Sequence, residues 1–168
     1  MPMINPELQK RAAEYAALSK ITLDWESPLG SGTDGAVWKS NVKTAVKVLE
    51  RERGYYNERD AYLRLQEFGF TEQIDGFWVP KLVAYCDRLW TIEMDFITKA
   101  PYILDFAKVR IDRPPDFSEE ILEYHDKKHQ ELFRHHWPEV QRLMASLESI
   151  GIYYLDPQLG NITFPDLQ

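Results

Sequence analysis

Residues 30–49 read GSGTDGAVWKSNVKTAVKVL, and they decide how the rest of the chain is interpreted. Gly30, Gly32 and Gly35 form a G-x-G-x-x-G pattern. Such glycines let backbone N–H groups approach a phosphate chain without obstruction, although a mobile turn would use the same residues. The two apolar runs that follow predict a β-hairpin with a glycine-rich bend ahead of it, and a further strand is expected over residues 21–25. Because a strand follows the glycines, a Rossmann dinucleotide turn is excluded.

Lys47 is the candidate functional residue of this hairpin. It lies between Val46 and Val48, and the two-residue period of a strand places it on the face opposite both valines. Ala45 shares the face of Lys47, so a small residue borders the same surface. Val37, two residues after the last glycine, is a further candidate nucleotide-binding residue. The alternative is a solvated lysine on an outer face, which is the usual state of a strand lysine.

Glu58 is the candidate partner of Lys47. Residues 55–66 have helical periodicity, and Gly69 is suited to end that helix. A carboxylate on the inward face of a helix needs a partner, and Lys47 can supply it. The alternative is an exposed glutamate on an amphipathic helix.

A later strand, predicted over residues 89–97, carries three more candidates. It reads LWTIEMDFI and includes Met94, Asp95 and Ile97. An ordinary core strand is the alternative interpretation of this segment.

The most specific motif lies near the end of the sequence. Residues 154–162 read YLDPQLGNI, in which Asp156 and Asn161 are five positions apart. As an isolated pattern, Asp-Pro is typical of a turn.

Taken together, these segments resemble the protein-kinase superfamily over roughly residues 26–168. Residues 44–47, TAVK, are similar to the kinase V-A-I-K strand, and the spacing from Asp156 to Asn161 matches H-R-D-L-x-x-x-N. The Leu-Gly-Asn-Ile segment also resembles aminoglycoside-phosphotransferase-like kinases. The resemblance implies an ATP site between a strand-rich lobe and a helical lobe.

The resemblance also implies a role for each nucleotide-binding candidate. The glycine loop would cover the phosphates, Lys47 would bind them, and Glu58 would hold Lys47 in place. Met94 would be the gatekeeper residue. The backbones of Asp95 and Ile97 would meet the adenine edge.

The resemblance to kinases also implies that Asp156 is the catalytic base and that Asn161 is a ligand of Mg²⁺. Tyr154-Leu155 replaces the His-Arg of kinases, so the base loses an orienting contact. No D-F-G follows, and Asp166 is the only acid after Asn161. Asn161 and Asp166 are the candidate magnesium ligands, and a frayed, solvated C-terminus is the alternative interpretation of Asp166. Without a second carboxylate, Asn161, Asp156 and the phosphates would hold Mg²⁺ at a weakened site, since Mg²⁺ commonly needs only one or two carboxylates besides phosphates and water.

The expected fold class is α+β, a two-lobed protein-kinase-like fold with an antiparallel β N-lobe and a small, reduced helical C-lobe. Residues 1–20 form an N-terminal helical extension, and residues 21–97 form the N-lobe, which ends at the hinge. Residues 98–168 form the C-lobe with the catalytic loop, and its helices are expected to begin near Ser118 and Pro138.

The leading functional hypothesis is a minimal ATP-dependent phosphotransferase that acts on a hydroxyl acceptor, either serine/threonine-type or a small molecule. The alternative is a nucleotide-binding pseudokinase that serves as a regulatory or interaction module. A third hypothesis is a kinase-shaped interaction protein that binds no nucleotide. A second copy of the chain or a protein partner is expected to cover the reduced C-lobe.

The amino-acid composition further limits the classes of protein to which this chain can belong. The 168 residues include 20 Lys and Arg and 27 Asp and Glu, for a net charge of −7, which argues against a general nucleic-acid binder. The short apolar runs and the polar N-terminus predict a cytoplasmic chain that does not cross a membrane. Cys86, the single cysteine, excludes an intrachain disulfide and a cysteine zinc cluster.

Four histidines lie close together in sequence, but no H-E-x-x-H motif accompanies them, so a zinc hydrolase is not indicated. We expect a solvated helix face rather than a metal site at His125, His129, His135 and His136.

Overall fold

The computed structural model describes residues 4–98, 106, 108–155 and 157–167. Two 3₁₀ helices, Asp87–Leu89 and Arg134–His136, supplement its regular elements. In chain order these elements are α1 (Pro6–Ser19), β1 (Gly30–Gly32), β2 (Gly35–Lys39), β3 (Thr44–Leu49), α2 (Glu52–Glu67), β4 (Gln73–Ile74), β5 (Phe77–Trp78), β6 (Leu82–Cys86), β7 (Thr91–Asp95), β8 (Val109–Ile111), α3 (Glu119–Phe133), α4 (Trp137–Ser149) and β9 (Ile152–Tyr154). The strands pair antiparallel, and helices accompany them, so the predicted α+β class is confirmed.

The chain divides into two compact units. The first contains Met1–Tyr62 and Lys81–Phe96, and the second contains Leu63–Pro80 and Ile97–Gln168. The boundaries of these units differ from those of the predicted lobes. Helix α1 belongs to the first unit, and residues 63–80 belong to the second.

The first unit is built on an antiparallel sheet with strand order β1-β2-β3-β7-β6. The predicted hairpin is present as β2 and β3, with Val37 opposite Lys47. Strand β3 lies in the interior of the sheet, and all six of its residues are buried. A lysine at this position is therefore removed from water and needs a charged or polar partner.

Helix α1 covers one face of this sheet. The Asn5 side chain caps the helix by accepting from the Glu7 N–H at 3.0 Å, and Pro6 occupies the first turn. The helix buries four residues at helical spacing in the same core cluster as alternate residues of β2 and β3. A fully buried aliphatic or aromatic side chain contributes about 1.5–3 kcal/mol. The cluster joins Leu8, Ala12, Tyr15 and Ala16 with Ala36, Trp38, Val46 and Val48.

Two predicted strands are wrong in extent. Residues 21–25 form one isolated bridge, between Leu23 and Ser40, instead of a strand. The strand expected over residues 89–97 is limited to β7, because the 3₁₀ helix precedes it and Trp90 adopts a left-handed φ of 47°. That backbone conformation interrupts the extended geometry of a strand.

The second unit contains a hairpin that the sequence analysis missed. Strands β4 and β5 are joined by Asp75 and Gly76, whose φ values are 49° and 81°. Two consecutive positive φ values are typical of a type I′ turn, for which Asp-Gly is a preferred sequence.

The helices of the second unit largely agree with expectation. The Ser118 side chain caps α3 by accepting from the Ile121 N–H, as predicted. The helix ends at Phe133, because Arg134 has a positive φ of 51°. Helix α4 is followed by Gly151, which has a φ of 81°, and its buried residues are Trp137, Val140, Leu143 and Leu147.

The core of the second unit collects around Phe164. Its ring packs edge-on against Phe77 and Phe133 at centroid distances of 5.6 and 6.2 Å, and it stacks on His136 at 3.9 Å. Strands β8 and β9 pair antiparallel in the same unit, although 40 residues separate them.

Within the described residues, every helix is too short or too polar to cross a membrane.

Candidate functional site

The site begins with a buried ion pair in the first unit. The Lys47 ammonium on β3 donates to the Glu58 carboxylate on α2 at 2.8 Å, and the two side chains are 4% and 1% exposed. The expected contact between these residues is therefore present. At such low exposure the pair is poorly screened by solvent, and its charges interact more strongly than they would on a surface.

Lys47 shares its sheet face with residues from the two neighbouring strands. In the register of the sheet it stands between Val37 of β2 and Ile92 of β7, and Ala45 stands beside Met94. Paired residues in an antiparallel sheet point to the same face. This face, defined by Val37, Ala45, Lys47, Ile92 and Met94, is hereafter called the lysine face.

Met94 is held in place at the lysine face. It is 1% exposed, and the Tyr62 hydroxyl donates to its sulfur at 3.5 Å. The predicted gatekeeper residue therefore has a fixed position next to Ala45, which is also 1% exposed.

Two of the three glycines lie in the edge strand of the same sheet, and the third begins the next strand. Gly30 and Gly32 lie in β1, are exposed, and have nothing within 4 Å of where a Cβ would stand. Gly35 differs, because a Cβ there would collide with the Val48 carbonyl oxygen. Packing thus requires glycine at position 35, whereas positions 30 and 32 have open space that a phosphate chain could approach.

The strand that carries Met94 is anchored on its other face by a buried carboxylate. Glu93 is 5% exposed and accepts from the Tyr15 hydroxyl at 2.7 Å and from the Thr44 hydroxyl at 2.6 Å. Burial and the hydrogen bond to Glu93 raise the pKa of Tyr15, so the hydroxyl stays a donor. Helix α1 and strands β3 and β7 are thereby linked through one side chain.

Asp95 and Ile97 are the predicted adenine-contacting residues. The Asp95 N–H donates to the Lys81 carbonyl at 2.9 Å, so this N–H is already engaged within the first unit. Ile97 follows β7 and is half-buried. Nothing in their contacts assigns a ligand, and both remain predictions.

Of the catalytic-loop candidates in the second unit, Asp156 lies outside the described residues. Asn161 is half-buried, and its N–H donates to the Gln158 carbonyl at 2.9 Å. This contact is typical of a tight turn, which fixes the position of the asparagine.

Asp166 forms a cluster with two histidines that the sequence analysis had not connected to it. Its carboxylate oxygens lie 2.8 Å from His136 Nε2 and 3.1 Å from His135 Nε2. The other ring nitrogen of His136, Nδ1, is 3.3 Å from a Glu139 carboxylate oxygen. Burial lowers the pKa of His136, but the hydrogen bonds to Asp166 and Glu139 outweigh it and raise the pKa overall.

The comparisons with known proteins are sparse. No family model matches the chain, and no curated protein does. Among solved structures, the ternary complex of streptomycin, ATP and the aminoglycoside phosphotransferase APH(2")-IIa is similar, with 22% identity and a TM-score of 0.40. The match covers 58% of this chain, which spans 30% of that protein. Because the TM-score is this low, we infer function from contacts within this chain.

Proposed function

We propose that this chain is a minimal, kinase-like ATP-dependent phosphotransferase that acts on a hydroxyl acceptor. The observation that carries the proposal is the buried Lys47–Glu58 ion pair on the lysine face. Placing two charges out of water costs several kcal/mol per ion, so a fold that only needed stability would do as well with apolar residues. A fixed ammonium on β3, two strands from the open glycine positions of β1, is suited to binding phosphates.

The lysine face supports specific roles for its residues. Lys47 binds phosphate oxygens, and Glu58 fixes the direction of its side chain. Gly30 and Gly32 present backbone N–H groups to the phosphate chain, since no side chain there blocks the approach. Met94 and Ala45 offer apolar surface for a base.

Asp156 and Asn161 are proposed for the transfer step. The acceptor hydroxyl gives its proton to Asp156 while the hydroxyl oxygen forms a bond to the γ-phosphorus. The bond from the γ-phosphorus to the bridging oxygen breaks, and ADP leaves with that electron pair. Asn161 is the proposed magnesium ligand, and bound Mg²⁺ would neutralise charge on the phosphates.

The role of Asp166 as a magnesium ligand remains a prediction, and the proposed transfer step does not depend on it. Its two carboxylate oxygens already contact His135 and His136. The same observation favours a second candidate function, a nucleotide-binding pseudokinase, because the carboxylate proposed as a second magnesium ligand is already engaged by two histidines.

Equilibrium dialysis with labelled ATP, with and without Mg²⁺, tests nucleotide binding directly. We expect saturable binding that Gly32→Val weakens at least tenfold, because the new side chain would obstruct the phosphates while it meets open space in the fold. Gly54→Val, at another glycine with open space in α2, is the matched control and should bind like wild type. Absence of ATP binding to the folded wild-type chain would overturn the proposal.

Transfer is tested separately from binding. The chain is incubated with ATP and Mg²⁺, and ADP release is followed in the presence of serine peptides or small polyols. Phosphotransferase activity predicts turnover that Asp156→Ala reduces by at least a hundredfold with ATP binding retained. Binding without turnover would select the pseudokinase instead.

A further inference from the structure

We propose that His135, His136 and Asp166 form a binding site for a divalent transition-metal ion of the zinc class. The three residues each offer one ligand atom, and these atoms lie within 4.8 Å of one another. Two imidazoles and one carboxylate are a ligand set that zinc accepts readily, with water in the fourth position. The three residues belong to the second unit, whereas the residues of the lysine face belong to the first.

The ligand atoms already converge. His135 and His136 both direct Nε2 to the same carboxylate, at 3.1 and 2.8 Å. A tetrahedral zinc ion with bonds of about 2.0–2.2 Å places neighbouring ligand atoms about 3.3 Å apart. Small side-chain rotations are therefore enough to admit the ion.

His136 also has the surroundings of a metal ligand. Its Nδ1 faces the Glu139 carboxylate at 3.3 Å, so Nδ1–H can donate to that carboxylate while Nε2 binds a metal. The Phe164 ring stacks on the imidazole at 3.9 Å with an interplanar angle of 14°, which restrains its rotation. Chain position alone does not bring these groups together, because Asp166 is 30 residues from His136.

The exposure of the cluster sets the kind of binding expected. The His135 and Asp166 side chains are 67% and 50% exposed, whereas His136 is 16% exposed. An ion can therefore reach the site from solvent and exchange with it. By linking residue 166 to the start of α4, the ion would hold the segment of residues 157–167 against that helix.

Titration of the chelator-treated, tag-free chain with Zn²⁺ in a calorimeter tests the site. We expect one saturable site per chain. His135→Ala and Asp166→Asn should each weaken binding at least tenfold, and Glu139→Gln should weaken it by about 10–100-fold, as for other carboxylates that orient a ligating histidine. Cobalt provides a second readout, because tetrahedral Co²⁺ has visible absorption that should appear only at higher cobalt concentration in these variants.

His125→Ala is the matched control, because it removes a nearby histidine from outside the cluster. It should bind Zn²⁺ like the wild type. The proposal is overturned if the wild type shows no saturable binding, or if His135→Ala and Asp166→Asn bind as tightly as it does. Circular dichroism confirms that each variant is folded, and His135 is exposed enough that its loss should not disturb packing.

Discussion

The ion pair between Lys47 and Glu58 has consequences for stability as well as for binding. Both side chains are almost fully buried, so removing either charge alone leaves the other in a poorly solvated place. Breaking a buried pair in this way costs about 3–5 kcal/mol, whereas removing both charges costs much less.

Lys47→Met is therefore expected to lower the free energy of unfolding by about 3–5 kcal/mol, and the double variant with Glu58→Gln should recover part of that loss. Urea denaturation followed by circular dichroism measures both. Lys81→Met, on an exposed lysine, should stay within about 0.5 kcal/mol of wild type. Strict additivity of the two single variants would contradict the predicted coupling.

Asp87 provides a pH-dependent contribution at the surface of the first unit. It accepts from the Tyr55 hydroxyl at 2.6 Å and from Arg59 at 2.9 Å, and these hydrogen bonds lower its pKa below the ordinary 3.8. A lowered folded-state pKa stabilises the fold above the unfolded-state pKa, and this effect is lost as pH falls through the folded-state value.

We therefore expect Asp87→Asn to melt at a lower temperature than wild type at pH 7, with the difference shrinking as the pH falls below about 4. Differential scanning calorimetry across this range measures it. Asp116→Asn, which removes another exposed carboxylate, is the control. A melting difference that stays constant from pH 7 to pH 3 would show that charge on Asp87 is not the cause.

At the scale of elements, helix ends determine where the chain turns. Helix α2 ends in a Schellman motif, in which the Phe70 N–H donates to the Leu65 carbonyl at 2.8 Å and the Gly69 N–H to the Gln66 carbonyl at 3.0 Å. Gly151 ends the α4 region with nearly the same φ, 81° against 80° for Gly69. The two glycines differ in their surroundings, which makes them a matched pair.

A Cβ at position 151 would lie 2.5 Å from Arg64 Nη1 and closer still to Asp112 Oδ1, whereas position 69 has open space. Gly69→Ala should cost about 1–2 kcal/mol from backbone strain alone. Gly151→Ala should cost about 1–3 kcal/mol more, because it also displaces the Arg64–Asp112 ion pair. Urea denaturation of both variants measures this difference. Equal losses in the free energy of unfolding would show that displacing the Arg64–Asp112 ion pair costs no stability.

Local patterns predicted the elements that local rules control. The helix start near Ser118, the Gly69 terminator and the alternation around Lys47 all indicated what the structure contains. The Asp75-Gly76 turn carried an equally local signal that was overlooked, because its strands are two residues long.

Features that depend on distant residues could not be predicted in the same way. Pairing of β8 with β9 joins segments about 40 positions apart, and the contacts of Asp166 with His135 and His136 also arise only on folding. The strand assigned to residues 21–25 failed for a related reason, since apolar spacing does not reveal whether a neighbouring strand is present.

At the scale of the molecule, each compact unit is assembled from two separate stretches of chain. In the second unit Phe164 joins them, because its ring contacts Phe77 from the first stretch and Phe133 and His136 from the second. Because the ring packs on both stretches, its aromatic contacts stabilise the unit in addition to the area that the ring buries.

Phe164→Ala should therefore lower the free energy of unfolding by about 3–5 kcal/mol, the usual cost of truncating a buried phenylalanine. Phe164 is 2% exposed, whereas Phe68 is 53% exposed, so Phe68→Ala is the matched control and should change stability by no more than about 0.5 kcal/mol. Urea denaturation measures the free energy, and hydrogen exchange localises the loss. Amides of β5 and α3 should lose protection together in Phe164→Ala, because Phe77 of β5 and Phe133 of α3 pack on the same ring. If α3 alone lost protection, Phe164 would stabilise its own stretch without joining it to residues 63–80.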